Sequence, residues 1–204
     1  MMLGLTMECA RCHSHKYDEI SHDEYYGLFS YFNNIDEEGL ITYQDKAPKP
    51  NITVSRKDID NDLGFIKLPD SIDEVTFMVM KETENLRKTY VLERGSYDAP
   101  SREVKPMTPS AVLPINKSNS NRLDLANWFF DDENPLTSRV VVNRLWQQFF
   151  GVGIVATPDD FGSQGNRPTN PELLDWLAVT FMENGWDTKK FIKKIVTSKT
   201  YTQS

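Results

Sequence analysis

Residues suited to metal, disulfide or thiol chemistry are scarce in this chain, which has two cysteines and three histidines among 204 residues. Cys9, Cys12, His13, His15 and His22 are all of them, so any such chemistry comes from one short stretch. No apolar run approaches the roughly 18 residues that cross a bilayer, which excludes a membrane-spanning helix. The opening MMLGLTMECA lacks a basic region ahead of its short apolar stretch and does not read as an export signal. Basic excess is missing as well. With 23 Lys and Arg against 30 Asp and Glu, the net charge is -7 and the pI is near 5.0. That balance cannot neutralise phosphates, which argues against nucleic acid and against an anionic membrane surface. There is no GxSxG elbow, P-loop or dinucleotide fingerprint, and the DFG string at Asp160 to Gly162 lacks the accompanying loops of a kinase.

What is present is enough to fold. Hydrophobic residues make up 39%, aromatics 11% and charged residues 26%. This composition suits one compact core or two small ones, since domains run to roughly 100 to 200 residues. The chemistry begins by Cys9, and YTQS follows directly on an apolar helix-like run, so both ends read as cuts through a longer protein. No internal repeat or low-complexity tract appears.

The pointed feature is CARCHSH at Cys9 to His15. Covalent attachment of haem requires two thiols spaced to reach two vinyl groups, and an imidazole beside the second thiol to reach the iron. Cys9, Cys12 and His13 supply that spacing and use the whole cysteine supply. Other readings stay open at this point. Cys9 and Cys12 could form a small disulfide or a redox pair. Cys9, Cys12, His13 and His15 could instead hold a zinc or iron ion, although so short a span is cramped for tetrahedral ligation. If haem c is bound, His15 is too near to reach the opposite face, and His22, Met7, Met78, Met80 and Met107 are the remaining axial candidates, each Met by default a packing residue. His15 also has a structural reading, as a donor to a carboxylate such as Asp18.

The expected architecture is mainly α with a small β element, an α+β fold with a helical C-terminal module. Ser21 and Glu24 form a capping box that predicts a helix over 21–33, with Tyr25, Leu28, Phe29 and Phe32 inward. Residues 36–73 read as a connector. Val75 to Met80 and Thr89 to Leu92 read as short strands forming a small hairpin. Pro100, Pro106, Pro109 and Pro114 make 95–115 an extended strap. Four helix starts follow, at Asn121 with Asp124, Asn134 with Pro135, Asn170 with Pro171, and Asp187, and Gly151 and Gly185 act as stops. In TPDDFG, Thr157, Pro158 and Asp160 read as N-cap, first-turn proline and capping-box acid. The domain reading is therefore 1–35, a CxxCH-bearing end; 36–73, a connector; and 74–204, a helical module.

The runs LGLTMECARCHSHKYDEI and DEYYGLFSYFNN resemble the end of a domain of unknown function from large secreted planctomycete proteins, which often also carry a planctomycete-type cytochrome c domain. The later runs, TYVLERG, NRLDLANWF, NPLTSRVVVNRLWQQFFGVGIV, TPDDFGSQG, NPELLDWLA and GWDTKKFIKKIVTSKTYTQS, are similar to the partner domain that follows it. The family pattern continues CHxHKFDPI; His13, His15, Lys16 and Asp18 stand in place, while Tyr17 and Glu19 depart from it, the latter removing a turn proline. Asn170 stands where the family commonly has a histidine, which keeps an N-cap and removes any metal role there. The resemblance implies truncation at both ends, a periplasmic or extracellular location, and a redox partner such as a neighbouring cytochrome c domain.

Two functions follow from different classes. One is an exported c-type haem-binding electron-transfer module. The other is a secreted module that binds a glycan or protein partner, with CxxCHxH as a structural metal site or disulfide. For the second, Arg139, Asn143 and Gln147 share one helix face beside Arg144 and Gln148, a set suited to sugar hydroxyls or carboxylates. A hydrolase would need Asp159 and Asp160 to work with Glu172 and Asp175 at a defined separation.

Overall fold

Short polar side chains set most of the helix starts. The computed structural model describes residues 2–36, 49–62, 64–115, 117 and 120–203. Its described elements are six α-helices and four strands: α1 His22–Ser30, β1 Asn51–Ser55, α2 Arg56–Asp62, β2 Glu74–Met78, β3 Thr89–Leu92, β4 Pro100–Val104, α3 Arg122–Phe129, α4 Thr137–Phe150, α5 Pro171–Glu183 and α6 Thr188–Val196. Side chains of Ser21, Asn121, Asn170 and Asp187 accept first-turn amides of α1, α3, α5 and α6, satisfying donors that the helix itself leaves orphaned. Capping boxes close at Ser21 with Glu24 and at Asn121 with Asp124. The fold class is α+β, mainly helical with two small antiparallel sheets.

The chain forms two compact units, one from Met1–Tyr31 with Lys88–Ser204 and one from Phe32–Arg87. These units do not follow the linear limits expected from composition. In the smaller unit β1 pairs with β2, with Asn51 opposite Met78 and Ser55 opposite Glu74. Thr53 and Thr76 share a cross-strand hydroxyl bond of 3.0 Å. α2 follows β1 without a gap and buries Ile59 completely. The Arg56 guanidinium donates to the carbonyls of Pro69 and Ile72, which fastens the returning chain. The connector expected over 36–73 is thus corrected within the described residues. NITVS carries the β-branched residues of a strand, but its polar flanks mask the pattern. Residues 37–48 and 63 of that expectation lie outside the described residues.

The expected hairpin is corrected too. β2 takes β1 as its partner, and β3 pairs with β4, Thr89 lying opposite Val104. Part of the expected proline strap is therefore a strand. Pro100 opens β4, where a missing ladder donor does least harm.

In the larger unit α4 and α5 pack on each other, with α6 against α4. Val142, Val155, Leu177, Phe181, Phe191 and Ile195 lie at the centre of that core. A second cluster joins Leu3 and Tyr31 to Leu125 and Trp128, and Trp128 Nε1 donates to the Leu113 carbonyl at 2.8 Å. A third sets Tyr26 of α1 on Val91 and Val104 of the β3–β4 sheet. The inward face of α1 differs from the expected one. Tyr26, Gly27, Ser30 and Tyr31 are buried, whereas Phe29 and Phe32 are exposed. Close approach decides this: a Cβ at Gly27 would collide with Met107, so the small residues turn inward. α4 starts two residues after the expected Pro135, with the Asn134 side chain accepting from the Leu136 and Thr137 amides. TPDDFG forms no helix. Thr157 Oγ1 donates to the Asp160 carbonyl at 2.7 Å, and Asp160 Oδ1 accepts from Gly162, closing a turn.

Asn143 is the polar residue on which the α4 core depends. It is 0% exposed, its Nδ2 donates to the Val155 carbonyl at 2.9 Å, and its Oδ1 accepts the Val155 amide at 2.8 Å. Replacing Asn143 with Ala leaves both backbone groups buried without partners, so Asn143→Ala is expected to lower unfolding free energy by about 3 kcal/mol. Urea denaturation of the two proteins checks this; an unchanged midpoint would contradict it.

Candidate functional site

The CxxCH segment occupies a short 3-10 turn, Glu8–Arg11, capped by Cys12. The Cys12 amide bonds the Cys9 carbonyl at 3.3 Å, so both thiols spring from one helical turn. Both are free and exposed. The turn is tied down from behind through the Arg11 carbonyl, which accepts from Tyr26 Oη at 2.9 Å and from His22 Nε2 at 2.9 Å. Burial chiefly pushes the phenols of Tyr25 and Tyr26 above their usual range. Gly95, at φ +72°, faces Cys12, where a Cβ would sit 3.1 Å from Sγ. The missing side chain lets Cys12 and Arg11 pack close to the backbone there.

His13 is exposed, and its Nδ1 faces the Ser14 carbonyl at 2.7 Å. A carbonyl only accepts, so Nδ1 is the donor here, and in the neutral ring Nε2 is then the nitrogen with the lone pair. Metal-binding histidines are commonly set this way, one ring nitrogen donating and the other free to ligate. His15 is set the opposite way. Its side chain is 3% exposed, and its Nδ1 accepts from the Asp18 amide at 2.9 Å and the Tyr17 amide at 3.3 Å. Nδ1 therefore presents a lone pair to the backbone, and the Asp18 carboxylate, 3.6 Å away, is not its hydrogen-bond acceptor. The ring holds the loop. His22, committed to Arg11, and Met107, packed under Gly27, are occupied structurally. Among the described residues no three or more His, Cys, Asp or Glu groups come together to hold a metal ion.

Three of the remaining sequence candidates have structural partners. Arg139 bonds Asp175 and the Pro135 carbonyl, Arg144 bonds Asp159, and Asn143 is buried. The expected polar face of Arg139, Asn143 and Gln147 is thus not one open surface. Reading the sequence did not reveal the role of Asp18. Its side chain is 9% exposed, and Oδ1 accepts the Ser163 amide at 2.7 Å across 145 positions of sequence. The Ser110 partner of Glu24 was equally out of reach, 86 positions away.

The donor set suits a c-type haem, with two accessible thiols on one turn and an adjacent imidazole whose Nε2 is uncommitted. An exposed CxxCH turn packed on a helical module within one α+β unit is the class that this geometry defines. Residues 1–37 match PSCyt2, described as a protein of unknown function (DUF1549), and residues 121–204 match PSD1, described as a protein of unknown function (DUF1553). The two matched segments are the planctomycete cytochrome-associated domains, in the order that the sequence resemblance implied. No curated protein and no solved structure matches it. No described helix is long and apolar enough to cross a membrane.

Glu24 links the motif's helix to the strap. Its Oε2 accepts from Ser21 amide and hydroxyl, and its Oε1 from Ser110 amide and hydroxyl, all at 2.7–2.8 Å. Burial works to raise its pKa, but those bonds outweigh it and hold the carboxyl below its usual 4.5. A carboxyl depressed in the folded state contributes stability above its unfolded pKa and loses it as pH falls through the folded value. Stability should therefore drop on acidification below about 4.5, and Glu24→Gln should flatten that part of the profile while lowering stability at neutral pH. Thermal melts from pH 3 to 7 check this; parallel profiles for the two proteins would refute it.

Proposed function

We propose that the Cys9 to His13 turn carries covalently attached haem c and that the chain is an exported redox module acting outside the cytoplasm, in the periplasm or beyond. Cys9 and Cys12 would hold the porphyrin through thioethers, and His13 would ligate the iron through Nε2. When bound, the group supplies one-electron transfer. The protein's own residues prepare the place: Ser14 fixes the His13 tautomer, and Tyr26 and His22 fix the turn through Arg11. The observation that carries this reading is the opposed setting of two neighbouring imidazoles, His13 exposed with Nε2 free and His15 buried with Nδ1 bonded to backbone amides. The family's association with cytochromes supports it. A neighbouring cytochrome c domain of the same longer protein is the redox partner that fits.

Expression in the periplasm with a c-haem maturation system tests this by visible spectrum and intact mass. The wild-type chain should gain one haem in mass and show a sharp reduced α-band. Cys9→Ser with Cys12→Ser should abolish the adduct, and His13→Ala should retain attachment with a shifted spectrum. A colourless wild-type chain with two free thiols, from cells that mature a control cytochrome, would end the haem reading and leave the binding-module alternative.

A further inference from the structure

Away from the motif, the groove between α5 and α6 combines features that the redox reading does not use. Trp176 and Thr180 of α5 and its C-cap Asn184 recur every fourth position and therefore share one face. Opposite them Lys190, Lys193 and Lys194 of α6 line a cavity of about 260 Å³ with Phe181 and Phe191. Trp176 is 53% exposed, and Lys194 Nζ stands 4.5 Å from its ring centroid. Amphipathic helices ordinarily turn lysines to water. Here they gather on one groove in a chain of net charge -7, and among the described residues Lys193 and Lys194 meet no carboxylate, while Lys190 has only Asp187 at 3.7 Å.

We propose that this groove docks an acidic polypeptide segment of a partner protein, with Trp176 as its aromatic anchor. The cavity is smaller than the roughly 300–1,000 Å³ of sites that enclose a small molecule, so it suits a single side chain. Lysines four apart on a helix have Cβ atoms about 5–6 Å apart, and alternate residues of an extended chain repeat about every 6.6 Å. An extended segment with alternating Asp or Glu therefore meets Lys190 and Lys194 in register, with Lys193 between them. Asn184 Nδ2 donates to the Thr180 carbonyl at 2.6 Å, which leaves its Oδ1 to accept a backbone amide of the incoming chain. Exposed Trp and charge complementarity are the features that give protein interfaces their anchors and their on-rates.

The test uses the full chain and a fluorescein-labelled peptide of about ten residues alternating Glu and Ala, followed by fluorescence anisotropy. Saturable binding is expected, weakened about tenfold or more by combined Lys190→Gln, Lys193→Gln and Lys194→Gln, and to a similar extent by Trp176→Ala. Raising salt from about 50 to 500 mM should also weaken it, because the charges lie at the surface. All four positions are exposed, and circular dichroism verifies that the variants stay folded. Absence of saturable binding, or equal affinity in the lysine variant, overturns the proposal. Dextran sulfate binding more tightly than the peptide overturns it as well, in favour of a sugar polyanion. None of these readouts depends on whether the Cys9 to His13 turn carries haem.

Discussion

Asp18 is the side chain through which the motif loop meets the helical module. Its Oδ1 accepts the Ser163 amide, and Gly162 lies so close that a Cβ there would sit 2.5 Å from Oδ2. A buried carboxylate is costly unless donors surround it, and here Oδ2 has no hydrogen-bond partner. The arrangement persists because neighbouring bonds fix it: His15 holds the Asp18 amide, Ser163 Oγ donates to the Tyr17 carbonyl, and Phe161 donates to the Gly4 carbonyl at 2.6 Å. Loss of the Asp18 contact would release the segment that presents both thiols.

That constraint explains why adjacent histidines with the same chemistry have different settings. His15 must be buried, because its Nδ1 satisfies amides of the turn that aims Asp18. His13, two residues earlier, has only its neighbour Ser14 as a partner and faces outward. The loop thus separates a fastening side from an exposed side. Tyr26 and His22 reinforce the division by holding Arg11 from α1, while Cys9 and Cys12 stay exposed.

Local chemistry was legible in the sequence and distant partners were not. Ser21, Asn121, Asn170 and Asp187 announced their helices because a cap is a bond between residues two or three positions apart. The spacing of Cys9 and Cys12 likewise placed both on one turn, Glu8–Arg11 with Cys12 as its cap. The pairing of β1 with β2 was hidden, since NITVS is brief and sits among prolines and charges. The inward face of α1 was misjudged because bulk suggested burial, whereas contact with Met107 demands Gly27. Asn143 looked like a ligand-binding amide because helix position alone cannot reveal that Val155 supplies both its partners. Asp18 and Glu24 are the same case at greater range.

The two family-matched segments are physically inseparable in this chain, although separate descriptions name them. Residues 1–37 contribute Leu3 and Tyr31 to a cluster whose other buried members, Leu125 and Trp128, come from 121–204. Tyr31 Oη bonds Ser120 Oγ at 2.9 Å, and Gly4 fits only because no Cβ meets Phe161 at 2.8 Å or Val140 at 2.9 Å. Val112, Leu113 and Ile115, between the two segments, pack against the same cluster, and burial of so few apolar side chains would offset little of the entropy lost in ordering residues 1–37 without them. The Cys9 to His13 turn is held locally by His22 and Tyr26, and its loop is fastened to the second segment through Asp18 and Ser163, so its geometry belongs to the pair rather than to either one.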